Sequence, residues 1–176
     1  MIKEAYNTVG LTVANDGDGM ILVGHCWIIW MKDGMIPKKL KAAVIELTGD
    51  LPEAGEVFRA QKGAGNQYEI PREDVLELRN GMKNGEVLKE TDITIGKLRL
   101  FQKEDGTIQA YNSEKVDVVS WNDMDKDETE IGNPKECEVG ARWENDRGIY
   151  VLVKNNVEGE NLEKIIHKLQ EIKLTK

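Results

Sequence analysis

Carboxylates are the side chains most able to do chemistry in this sequence, and one stretch concentrates them. Between Asn122 and Glu138 lie seven acids (Asp123, Asp125, Asp127, Glu128, Glu130, Glu136, Glu138) against Lys126 and Lys135, which places five of the eight net negative charges there. Paired carboxylates can hold a divalent cation or act as general acid and base. Asp125, Asp127, Thr129, Asn133 and Glu136 occupy positions 1, 3, 5, 9 and 12 of a twelve-residue calcium loop. The sharp turn at position 6 wants glycine, and Glu130 stands there instead. The stretch also follows an expected strand rather than a helix. A solvated acidic loop is therefore the favoured reading, with Asp125, Asp127 and Glu136 kept as candidate ligands for Ca2+ or Mg2+. No other cofactor is expected. Asp16 and Asp18, in an earlier turn, are a weaker pair because no acid follows at the twelfth position.

Nucleophilic chemistry finds little support. It needs a nucleophile, a base and an orienting group within reach of one another. Ser113 and Ser120 are the only serines, and neither sits in G-x-S-x-G. His25 adjoins Cys26, but on a strand adjacent side chains point to opposite faces. His25 is thus expected to be a hydrogen-bonded core or interface histidine, Cys26 a small buried hydrophobe, and His167 a partly exposed helix residue. No G-x-x-x-x-G-K-[ST] is present, and Gly63-Ala64-Gly65 precedes an expected strand, so no helix N-terminus would meet a phosphate. Whether the chain is an enzyme is left open, with a non-catalytic role favoured.

Recognition chemistry is better represented. Trp27, Trp30, Trp121 and Trp143 are many tryptophans beside two phenylalanines. Tryptophan is enriched at interface hot spots, although core filling explains any one of them equally well. Trp27 and Trp30 are the candidate interface residues, since on a strand their spacing of three sends them to opposite faces.

The bulk properties bound what these residues can serve. The chain has 176 residues, 40% apolar and 32% charged, and needs neither staple nor metal to fold. A net charge of −8 disfavours nonspecific binding to a phosphate backbone, and the one tight basic cluster, Lys38, Lys39 and Lys41, reads as a solvated helix face. Nucleic acid is not an expected partner. Two cysteines and no charged-then-apolar pattern in Met1-Ile2-Lys3-Glu4 fit a cytoplasmic setting. The apolar run from Met20 to Met31 is too short for a membrane helix.

That run instead predicts a continuous central strand covered on both faces. Tyr6 to Ala14 alternates like a strand, and Asn15-Asp16-Gly17-Asp18-Gly19 is a turn. Pro37, the stripe Leu40, Ala43, Val44 and Leu47, and the terminating Gly49 predict an amphipathic helix. Glu56 to Gln61 and Gln67 to Ile70 read as strands, and Pro71 to Arg79 slightly favours helix. Asn80 to Thr94 is weakly patterned. A hairpin turns at Glu104-Asp105-Gly106, Lys115 to Trp121 predicts a third strand, and another hairpin turns at Asn145-Asp146-Arg147. A second amphipathic helix runs from Glu160 to Leu174.

The expected architecture is α+β: mostly antiparallel sheet with two amphipathic helices packed on it, in one domain (residues 1–176) with a lobe boundary near 80–95. The expected role is a non-catalytic binding or assembly protein acting through protein–protein contacts or self-association. An inhibitor, an adaptor or a particle subunit, phage-encoded or not, would fit. The alternative is a small-ligand or divalent-metal-dependent protein, up to a carboxylate-based enzyme.

Overall fold

Short alternating segments punctuated by glycine turns make this chain mostly antiparallel sheet with short helices, an α+β architecture. In the computed structural model the chain divides into two units, Met1–Met82 with Asp146–Tyr150, and Lys83–Asn145 with Val151–Lys176. The structure describes residues 1–81, 85–118 and 133–174.

The first unit contains helix α1 (Ile2–Asn7), strands β1 (Leu11–Asn15), β2 (Gly19–Val23) and β3 (Trp27–Lys32), helix α2 (Lys38–Thr48), strands β4 (Val57–Gln61) and β5 (Gly65–Gln67), and helices α3 (Arg72–Leu76) and α4 (Leu78–Gly81). The strands pair antiparallel in the order β5-β4-β1-β2-β3. β1 is central, with Val13 opposite Leu22 on one side and Phe58 on the other. Its alternation places Leu11 and Val13 fully inside. α2 follows Pro37 and ends where Gly49 takes the left-handed conformation at φ 85°. Val44 on its expected stripe is fully buried, and Leu40, Ala43 and Leu47 are half-buried.

The second unit contains strands β6 (Lys89–Ile95), β7 (Leu98–Gln102) and β8 (Ile108–Asn112), helix α5 (Ser113–Val116), strands β9 (Lys135–Cys137) and β10 (Gly140–Glu144), the latter part of β11 (Gly148–Val153), and helix α6 (Glu160–Gln170). β6, β7 and β8 form a three-stranded antiparallel meander. α6 seats Ile166 in a cluster with Leu100, Ile108 and Ala110, flanked by Leu162 and Leu169. The expected hairpin around Glu104–Gly106 is present as β7–β8, and Asn145–Arg147 falls between β10 and β11 as expected.

Five segments differ from expectation. The strand expected at Gln67–Ile70 lies earlier, as β5 at Gly65–Gln67, because the turn closes within residues 62–64 and Gly65 already pairs with Gln61. The run Met20–Met31 is two strands, not one: β2 and β3 fold on each other through Gly24-His25-Cys26, with Val23 opposite Ile28 and Met20 opposite Met31. Gly24 permits the fold-back, because a Cβ there would lie 2.3 Å from the Trp27 ring. His25 is consequently exposed and Cys26 half-buried, rather than both inside a covered strand. The segment before β1 begins as a helix that buries Ala5, and the alternating pattern governs only from Leu11. Asn112 caps α5 by accepting the Lys115 N–H at 3.3 Å, so the expected third strand begins instead as a helical turn over Lys115–Val116; its residues 119–121 lie outside the described residues. β6 was hidden because its one fully inward residue is Thr91, whose hydroxyl donates to the Leu100 carbonyl at 2.8 Å. No helix among the described residues is long and apolar enough to cross a membrane.

Candidate functional site

The β1–β2 turn is built from side chains that bond their own backbone. Asn15 Oδ1 accepts the Gly17 N–H at 2.8 Å, and Asp16 Oδ1 accepts the N–H groups of Asp18 and Gly19 at 3.0 and 2.7 Å. These are Asx-type bonds, which Asn and Asp form readily in turns. The turn leaves the second oxygen of Asp16 aimed at β3, where it accepts the indole Nε1–H of Trp30 at 2.9 Å. Asp16 is thus held from both ends, and its side chain is only 10% exposed.

Arg79, on α4, completes the cluster. Its guanidinium carbon lies 4.1 Å from the Trp30 ring centroid. Nη1 reaches Asp18 Oδ2 at 2.9 Å and Asp16 Oδ2 at 3.7 Å. An indole face with two carboxylates at its rim is a cradle for a guanidinium: the ring quadrupole attracts the cation, and the carboxylates accept its N–H bonds. With the Arg79 side chain itself a third exposed, the stacking is worth about 0.5–1 kcal/mol. The Asp18 pair, with a 76% exposed carboxylate, adds no more than ~1 kcal/mol. The cradle therefore holds Arg79 weakly. Asp16 and Asp18, weak metal candidates by spacing, face a guanidinium here.

Trp27, the other candidate interface residue, is 2% exposed and packs its ring over Gly24; Trp30 is 7% exposed. Both indoles are well buried within the chain, and Trp30 is the one with polar partners at its edge and face.

Glu136 belongs to a different cluster. From β9 its Oε2 accepts the Lys103 ammonium at 3.0 Å and its Oε1 accepts the Gln109 amide at 2.5 Å. Tyr111 in turn donates its hydroxyl to Gln109 Oε1. The hydrogen bond to Glu136 raises the Lys103 pKa against the opposing effect of burial. Burial pushes the Tyr111 phenol well above its ordinary range, with Cys137 and Glu136 adding to the shift. The chain Tyr111–Gln109–Glu136–Lys103 thus stabilises one charge pair and one neutral phenol. Asp125 and Asp127 lie outside the described residues, and so does Trp121. Among the described residues no group of three or more His, Cys, Asp or Glu side chains could hold a metal ion.

Arg79 is the site residue that the sequence hides. It stands 61 positions from Asp18, in a segment that reads only as ambiguous helix, and nothing local marks it as a partner of Trp30. No family model matches this sequence, and neither a curated protein nor a solved structure matches it.

Proposed function

We propose that this chain is a non-catalytic binding or assembly protein that works through protein–protein contacts. The observation that carries this reading is the Trp30–Asp16–Asp18 cradle. An aromatic face rimmed by two carboxylates is suited to recognise a cationic side chain. Tryptophan and arginine are the residues most enriched where protein surfaces hold each other. The net charge of −8 gives the same preference for a basic partner surface. In this reading α2 and α6, the two amphipathic helices, cover the sheets and are not the recognition elements. Inhibitor, adaptor and particle subunit are all compatible roles.

A divalent-metal role is the second reading. Of its three candidate ligands, Glu136 is already bonded to Lys103 and Gln109, so a cation there would have to displace an ammonium. That occupancy favours the first reading.

Native mass spectrometry of the untagged protein, alone and after incubation with lysate, tests the proposal. The expected result is an added whole chain at fixed stoichiometry that is lost in Asp18→Lys, since Asp18 is exposed and outside the core. A bare monomer in both samples counts against a stable assembly role. An added mass of tens of daltons would favour the metal reading instead.

A further inference from the structure

The cradle and its occupant come from different parts of the first unit, and they are held very differently. Asp16, Asp18 and Trp30 belong to one continuous run from β1 to β3. Asp16 is fixed there by its own turn and by the indole N–H, and Trp30 by strand pairing opposite Ile21. None of those restraints involves Arg79. The segment that delivers Arg79 is lightly anchored: no residue of α3 is buried, and Leu76 and Leu78 are only half-buried. Arg79 itself keeps a third of its side chain exposed. Asp16 and the indole of Trp30 are held in place without Arg79, while Arg79 is on a strap that few contacts hold down.

We propose that Arg79 is a built-in competitor, and that the cradle's other occupant is an arginine side chain of a basic partner protein. The inference rests on the protein-contact reading and names the chemistry of its partner. A partner arginine stacks on Trp30 and pairs with Asp18 and Asp16 as Arg79 does, and α3–α4 swings clear. Lysine is the poorer occupant, because its compact ammonium lacks the planar fork that stacks and bonds two acceptors together. The competition sets a threshold. While Arg79 occupies the cradle most of the time, the apparent affinity for an external guanidinium is the intrinsic one multiplied by the fraction of time the cradle is empty.

The test uses the full chain and N-acetyl-L-arginine amide as the probe. The readout is the Trp30 indole N–H resonance, assigned by its loss in Trp30→Phe. In Arg79→Ala the resonance should move saturably with probe, and the parent should need about tenfold more probe for the same shift. N-acetyl-L-lysine amide should bind several-fold more weakly. In the parent, probe should also speed amide exchange across Arg72–Gly81, as the strap is released. A folded Arg79→Ala that shows no saturable shift overturns the proposal, as does equal affinity in parent and variant. If Arg79→Ala fails to fold, Arg79→Met preserves the aliphatic stem and repeats the test. Failure of both to fold overturns the claim that the cradle stands without the strap. The mass measurement decides the wider protein-contact reading separately, since a partner chain can be held outside the cradle.

Discussion

The backbone of Leu174 is held by the side chain of Gln102, 72 positions earlier: the Leu174 N–H donates to Gln102 Oε1 at 2.8 Å. The same carboxamide donates from Nε2 to the Ile172 carbonyl, also at 2.8 Å. Gln102 is 2% exposed, so its amide replaces the strand partner that the segment after α6 lacks. A buried amide is tolerated only with its donors and acceptors paired.

Gln102→Leu should therefore cost more than its near-equal volume suggests. It leaves the Ile172 carbonyl and the Leu174 N–H without this partner, for about 1–3 kcal/mol. The expected outcome is a lower urea midpoint with faster amide exchange at Leu174. An unchanged midpoint would mean that water replaces the carboxamide at no cost.

Stability should fall on the alkaline side, and the sign follows from the shifts. Tyr111 and Tyr150 both have pKa values raised by burial, and Lys103 has one raised by its bond to Glu136. A group with a raised folded pKa contributes stability that is complete below its unfolded value, here about 10 to 10.5. That contribution is lost as pH climbs toward the folded value. The expected profile is flat from these groups below about pH 9 and falls above pH 10, by up to ~1.4 kcal/mol per pH unit for each tyrosine, with the more solvated Lys103 adding less. Tyr111→Phe should remove one group's share of that slope, at a neutral-pH cost of about 1 kcal/mol from the unpaired Gln109 oxygen. Urea melts at several pH values measure both; a slope identical in parent and variant would refute the assignment.

Much of this fold is legible in the sequence, and the failures share a cause. α2 could be read because its stripe, its proline and Gly49 all agree, and β7–β8 because Asp105-Gly106 interrupts two alternating runs. Met20–Met31 misled because continuous apolarity says "buried" without saying how often the chain reverses. The reversal depends on Gly24 meeting the Trp27 ring, a contact that no periodicity carries. β6 was missed because Thr91 does an apolar residue's work by hydrogen bonding inward. The cradle was half legible. The Asx turn at Asp16 and the tryptophan at Trp30 could be noted separately, but only tertiary structure brings Arg79 to them.

The β2–β3 turn gives a sharp prediction. Gly24→Ala places a methyl 2.3 to 2.5 Å from three atoms of the Trp27 indole, so the buried ring must move. The expected cost is about 1–3 kcal/mol, with a changed near-ultraviolet dichroism from the displaced indole. In Gly24→Ala combined with Trp27→Leu the two penalties should be less than additive, because the smaller side chain relieves the clash. Strict additivity in that double-mutant cycle would show that Gly24 is required for its backbone rather than for the ring.

Ile165 and Ile166 are neighbours in α6 with opposite environments, which makes them a paired test of how the helix is seated. Ile166 is 9% exposed among Leu100, Ile108 and Ala110, whereas Ile165 is 45% exposed. Ile166→Ala removes most of a buried aliphatic side chain and leaves a cavity between helix and meander, for about 2–4 kcal/mol. Ile165→Ala removes little buried area and gains helix propensity, so its effect should stay within about 0.5 kcal/mol. Equilibrium urea unfolding of both variants checks the contrast, and amide exchange along Glu160–Gln170 should accelerate only in Ile166→Ala. Comparable losses in the two would mean that Ile165 is covered in solution, which for an exposed isoleucine on a helix surface points to self-association. A rise of the Ile165→Ala midpoint deficit with protein concentration would then separate that outcome from a misplaced helix register.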